Sequence, residues 1–168
     1  MHLRGSPQTM ALSENCMYAD VVADVANELQ HALLIADECG VPRWAQIADP
    51  GIGFSKTSAD SAALLRPSNV ARLRSLLANR ALLVGASRKR VVRESVLGAR
   101  ESVLGASIDG SGSVDNEVLD RATAGVCCGA VAGGASIVRV HNCAVVVPAV
   151  RALKFVMREE GTTDQNKI

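Results

Sequence analysis

Apolar side chains recur at steps of three and four residues from Ser13 to Cys39, with Tyr18, Val21, Val25, Leu29, Leu33 and Ala36 on one face. That spacing predicts an amphipathic helix with Ser13 as its N-cap. Gly40 ends it and Pro42 prevents its return, after which Trp44 to Ala48 reads as a short, mostly apolar strand closed by Asp49. A second helical region runs from about Ala59 to Ala78, interrupted where Pro67 breaks it or opens its second half. Ala81 to Gly85 is a second buried strand, about Asn116 to Gly133 a third helix, Ser136 to Val140 a third strand, and about Val145 to Arg158 a last helix.

Short strands alternating with helices imply an α/β fold with a parallel sheet, and either a barrel or a doubly wound sheet accommodates that order. A complete barrel of eight such units needs about 250 residues. This chain has 168, with three whole strands and a possible stub at Met1 to Leu3, so a barrel reading leaves half of it missing. Arg93 to Ala99 is repeated residue for residue at Arg100 to Ala106. A seven-residue unit is nearly two helical turns and almost preserves an apolar face, so the repeat reads as a slippage-type insertion. The Gly/Ser-rich Ile108 to Val114 that follows reads as a mobile loop.

Composition narrows the core and the partners. Hydrophobic residues make up 48% and charged residues 21%, an ordinary globular balance, while aromatics are only 2%, so the core must be aliphatic. A net charge of +1 supplies no broad field for nucleic acid. Cys16, Cys39, Cys127, Cys128 and Cys143 form no C-x-x-C and no metal-ligand spacing with histidine, so they read as reduced thiols. No apolar run approaches a membrane span and the N-terminus has no signal-type apolar segment, giving an expectation of cytoplasm or organelle matrix, without membrane partners.

The candidate chemistry lies where the strands end. Asp49-Pro50-Gly51-Ile52-Gly53-Phe54 places a carboxylate before a turn whose Gly51 and Gly53 permit close approach of a flat ligand. Alone, the segment is more simply an ordinary strand-ending turn. Ser87 and Lys89 follow the second strand and share a face if it stays extended, while Arg88, Lys89, Arg90 and Arg93 also read as a basic surface cluster. Arg139 and His141, two residues apart on the third strand, suit an anion. All these groups fall at carboxyl ends of strands, where parallel α/β proteins build their sites.

With those motifs assembled, the chain resembles the C-terminal half of dihydropteroate synthase, a TIM-barrel family. Met1 to Pro7 matches its M-H-x-R-G-[ST]-P loop, Asp49 to Phe54 its D-P-G-[IF]-G-F, Ser87-Arg88-Lys89 its S-R-K, and Arg139-Val140-His141 its R-V-H. The resemblance covers residues 1–160 apart from a 93–115 duplication and loop, and leaves 161–168 as a tail. It implies transfer of the dihydropterin group of 6-hydroxymethyl-7,8-dihydropterin diphosphate to p-aminobenzoate in folate synthesis, in a family that sulfonamides target. On that resemblance Asp49 binds the pterin N–H edge, Lys89 its acceptor edge, and Arg139 with His141 the ring and diphosphate. Gly51, Gly53, Phe54, Ser87 and Arg90 complete the substrate contacts, and Mg²⁺ arrives held mainly by the diphosphate.

Three positions depart from the family pattern: Ser55 follows G-F, Arg90 follows the lysine, and Asn142 follows R-V-H in place of Asp. The first-half motifs, G-x-x-N-x-T-P-D-S-F among them, do not occur. The sequence therefore predicts a partial, catalytically incompetent barrel that closes as a homodimer or with a complementing N-terminal half. A non-catalytic pterin- or partner-binding half and a nucleic-acid binder built on Arg88 to Arg93 are the alternatives.

Overall fold

The computed structural model describes residues 1–98 and 114–158. Two 3₁₀ turns, Ser13–Cys16 and Arg43–Ala45, accompany nine regular elements among these residues: α1 (Val21–Glu38), β1 (Ile47–Ala48), α2 (Ser58–Leu65), α3 (Pro67–Leu76), β2 (Ala81–Val84), α4 (Arg90–Gly98), α5 (Asn116–Ala132), β3 (Ile137–Val138) and α6 (Cys143–Val156). The second copy of the duplication, the loop before Val114 and the tail from Gly161 lie outside the described residues.

The three strands form one parallel sheet in the order β1-β2-β3. Ile47 and Ala48 pair with Ala81 and Leu82, and Leu83 and Val84 pair with Ile137 and Val138. The Met1 to Leu3 stub is not a strand, although the His2 N–H donates to the Asp49 carbonyl at 2.8 Å and so lies along the free edge of β1. One face of the sheet packs under the helices, where Ala48, Leu82 and Val84 join Val25, Leu64, Val70, Leu73 and Leu119 in an aliphatic core. Strand geometry turns alternate residues to the other face. There Ile47 is 49% exposed and Ile137 38% exposed.

Three sequence expectations shift for local reasons. The first helix starts at Val21, because the Asp20 carboxylate accepts from the Val22 and Ala23 N–H groups and is the better cap, leaving Ser13 in a 3₁₀ turn. Trp44 belongs to a 3₁₀ turn and is 87% exposed rather than in a strand. Ser87 and Lys89 do not continue an extended strand: Arg88 takes φ 56° and the Lys89 N–H returns to the Ala86 carbonyl, so the chain turns into α4. Pro67 behaves as expected, standing at the first turn of α3 after Arg66 has ended α2.

The α5–α3 contact depends on Gly133, where a Cβ would sit 2.5 Å from the Pro67 carbonyl oxygen and 2.7 Å from the Val70 Cβ. Gly133→Ala is expected to destabilise the chain by about 1–3 kcal/mol through overpacking. Gly125→Ala, in the same helix with open space around it, is expected to stabilise by about 0.5–1 kcal/mol. Urea unfolding of the two variants checks the opposite signs.

Candidate functional site at the strand ends

β1, β2 and β3 end side by side, and the residues that follow them meet across β2. Asp49 is buried, with Oδ1 accepting the Gly51 N–H at 2.8 Å. That bond closes the turn, and Gly51 at φ 66° occupies backbone space that L side chains rarely enter. The other carboxylate oxygen, Oδ2, lies 3.6 Å from Arg139 Nη2. Arg139 reaches it by lying over Gly85, where a Cβ would fall 2.7 Å from Nη2 and 3.0 Å from Cζ. Extending the paired register sets Gly85 beside Arg139, so the glycine opens the path between the two outer strands. The guanidinium remains 56% exposed, and an ion pair of that kind contributes at most about 1 kcal/mol. It is therefore available to a ligand.

Lys89 folds back over the same turn. Its Nζ donates to the Ile52 carbonyl and stands 4.4 Å from the centre of the Phe54 ring. Burial lowers the Lys89 pKa, opposed by the Asp49 carboxylate and reinforced by Arg139. Gly53, at φ 76°, keeps the turn clear of the lysine stem, since a Cβ would lie 3.3 Å from Lys89 Cδ. Beside Phe54 and Lys89 opens a cavity of about 470 Å³ lined also by Met10, Cys16, Lys56 and Arg90. Asp49 and Arg139 stand outside its lining. Arg90, the first residue of α4, donates to Ser58 Oγ at 3.1 Å and approaches Glu94 at 3.4 Å.

Ser87 and His141 form a separate pair: the Ser87 hydroxyl lies 2.9 Å from His141 Nδ1 and accepts the His141 N–H at 3.2 Å. The sequence-predicted residues thus form two groups. Asp49, Gly51, Gly53, Phe54, Lys89 and Arg139 share one cluster, and Ser87 and His141 pair beside it, while Arg90 belongs to neither and lines the cavity.

Two residues that the sequence reading passed over hold these groups. Asp120 of α5 is 3% exposed and takes a bidentate pair from Arg88, 2.8 Å to Nε and 2.9 Å to Nη2, with Asn142 Nδ2 at 3.0 Å. It bridges the loops after β2 and β3. Its signal was an acid on the apolar stripe of a helix, next to Leu119 and three residues before Thr123, a place that requires a counter-charge. Lys56, 5% exposed, donates to the Phe54 carbonyl at 3.0 Å. The run from Arg88 to Arg90 accordingly presents no common basic face, since Arg88 is committed to Asp120, Lys89 turns to Ile52 and Phe54, and Arg90 faces Glu94.

The sequence profile of the family described as pterin binding enzyme matches residues 1–141. A mitochondrial folate synthesis bifunctional protein of Pisum sativum is 35% identical over 96% of this chain, which spans 30% of that protein. A dihydropteroate synthase of Synechocystis is 36% identical over 84% of this chain, which spans 42% of it. The crystal structure of dihydropteroate synthase from Stenotrophomonas maltophilia with active site-bound imidazole superposes with a TM-score of 0.74 at 30% identity, covering 97% of this chain and 52% of that one. The chain thus spans about half, or less, of the length of these proteins.

The Arg88 hydrogen bonds hold the Asp120 carboxyl below the usual carboxylate range. A depressed folded-state pKa stabilises above the unfolded value and is lost as pH falls through the folded one. Thermal melting followed from about pH 5 to about pH 2 is expected to show a falling acid limb that is shallower in Asp120→Asn. Identical limbs would remove Asp120 as a contributor.

Proposed function

The chain belongs to the pterin-binding enzyme family, and on that premise we propose that it supplies the strand-end half of a dihydropteroate synthase site, joining p-aminobenzoate to 6-hydroxymethyl-7,8-dihydropterin diphosphate. The observation that carries this reading is the convergence of Asp49, Lys89 and Arg139 on one turn. Asp49 offers a carboxylate oxygen 3.6 Å from Arg139, and Lys89 offers an ammonium over the Phe54 ring. A carboxylate accepts two parallel N–H bonds, as the pterin's amino and ring N–H edge presents them, and Lys89 donates to the acceptor edge. The Arg139 guanidinium stacks on the ring and, with His141, meets the diphosphate. Phe54, Gly53 and the rim residue Arg90 border the p-aminobenzoate side, where Arg90 faces the carboxylate.

In the reaction the pterin methylene C–O bond breaks with its electron pair leaving on the diphosphate. The aromatic amine forms the new C–N bond and releases a proton. Arg139 and His141 offset the leaving group's growing negative charge, and no protein nucleophile is needed. Mg²⁺ would add to that charge compensation when it arrives with the diphosphate. Among the described residues no three carboxylate, histidine or cysteine side chains gather to hold a metal ion, so these residues alone do not fit one.

The reaction is proposed for a closed barrel, in which a complementing half or a second copy covers the exposed Ile47 and Ile137 face of the sheet. A cytoplasmic or matrix setting suits this chemistry, and no helix among the described residues is long and apolar enough to cross a membrane. Dihydropteroate formation is expected to be absent with the purified chain and to appear when the N-terminal half of the Synechocystis relative is added. Asp49→Asn is expected to lower the mixed activity by at least about a hundredfold, a loss of about 2.7 kcal/mol. Turnover by the chain alone at a whole synthase's rate would refute the need for closure. Absence of product in the mixture, with no pterin bound, would refute the reading itself.

A further inference from the structure

Resting on the dihydropteroate synthase reading, we propose that Lys56 is a positioning residue that sets the shape of the Asp49–Phe54 turn through the imidazole of His2. Lys56 Nζ makes two directed contacts, 3.0 Å to the Phe54 carbonyl and 2.9 Å to His2 Nδ1. An ammonium only donates, so His2 Nδ1 is an acceptor and the ring proton is on Nε2. Nε2 then donates to Glu28 Oε2 at 3.0 Å, while Glu28 Oε1 accepts from Arg4 Nε at 2.9 Å. The row runs from Lys56 to His2 to Glu28, with one polarity throughout.

That row grips both ends of the turn. At one end the His2 N–H donates to the Asp49 carbonyl at 2.8 Å, and the His2 carbonyl lies where a Cβ on Gly51 would come within 2.0 Å. At the other end Lys56 holds Phe54. The Lys56–His2 bond joins the two grips, so the distance between the pterin-facing carboxylate and the aromatic ring is fixed by one lysine. Neither Lys56 nor His2 is more than 5% exposed, and a buried ammonium is costly. A methionine would fill the same space without that cost, so the charge is retained for direction rather than for packing. Burial brings the Lys56 pKa down to about 8, and burial together with Lys56 brings His2 down to about 4, which keeps a neutral imidazole beside a charged amine near neutrality. Lys56 Nζ also lies 5.7 Å from the centre of the Tyr18 ring, whose hydroxyl donates to the Ser55 carbonyl at 2.8 Å.

The test uses the ¹⁵N-labelled full chain. In the wild type His2 is expected as the Nε2-protonated tautomer at neutral pH. Lys56→Met is expected to abolish that single tautomer, to shift the Gly51 and Phe54 amide resonances while those of α5 stay in place, and, once the N-terminal half of the Synechocystis relative is added, to weaken 6-hydroxymethyl-7,8-dihydropterin binding about tenfold. Lys56→Arg, which keeps the charge and donors, is expected to recover the tautomer at least in part. A wild-type His2 protonated on Nδ1, or on both nitrogens, would overturn the proposal without recourse to any variant. So would a Lys56→Met chain whose Gly51 and Phe54 amides do not move. Correct tautomer and amide responses in a chain that binds no dihydropterin even when the N-terminal half of the Synechocystis relative is added would instead overturn the proposed function and leave the role of Lys56 in the turn intact.

Discussion

Every ionic group buried at the end of this small sheet requires a counter-group from a neighbouring loop, and that requirement organises the surface around it. Buried charges are tolerated only when paired or hydrogen-bonded. Asp120 is met by Arg88 and Asn142, Lys56 by His2 and the Phe54 carbonyl, and Asp49 by the Gly51 N–H with Arg139 beyond it. The Asp120–Arg88, Lys56–His2 and Asp49–Arg139 contacts join segments distant in sequence, so satisfying the charges also fixes the relative positions of the loops. Asp49 and Arg139 differ from the other pairs in that their contact is long and one partner is largely exposed. The tightly satisfied pairs form the frame, and on the proposed reading the loosely satisfied one is the part that meets a ligand.

Close backbone approach is the second condition for this arrangement. Gly51 leaves room for the His2 carbonyl, and Gly85 lets Arg139 cross β2 to reach Asp49. The two glycines act differently. Gly51 is needed for both its positive φ and its missing Cβ, against rigid backbone. Gly85 has only a flexible guanidinium above it, so a side chain there would displace Arg139 rather than distort the fold.

The elements themselves were largely legible, because period and punctuation agree. The helix expected at about Asn116 to Gly133 runs from Asn116 to Ala132, almost to the residue, with Asp115 capping its start and Gly133 its end. Helix entry at Ser13 was misread because a serine before an apolar repeat looks like a cap, whereas Asp20 accepts two backbone N–H groups. Asp49, Lys89, Arg139 and His141 stood out through motif and position. The shared face assigned to Ser87 and Lys89 did not survive, because Arg88 at positive φ turns the chain and sends the two side chains to opposite partners. Lys56 and His2 lie 54 residues apart, and nothing in local periodicity announces that a buried lysine will meet a histidine.

The candidate site and the uncovered face of the sheet are the same surface, and that identity has an energetic consequence. Strand alternation puts Ile47 and Asp49 on one side of β1, Leu83 and Gly85 on one side of β2, and Ile137 and Arg139 on one side of β3. Ala48, Leu82 and Val84, on the opposite face, are buried under the helices. A partner that covers Ile47 and Ile137 therefore also approaches Asp49 and Arg139. On the proposed reading, closing the barrel and completing the pterin pocket are one event, so the two are thermodynamically linked. A ligand held by groups from both sides raises the affinity of the halves for each other by the same factor by which the second half raises the affinity for the ligand.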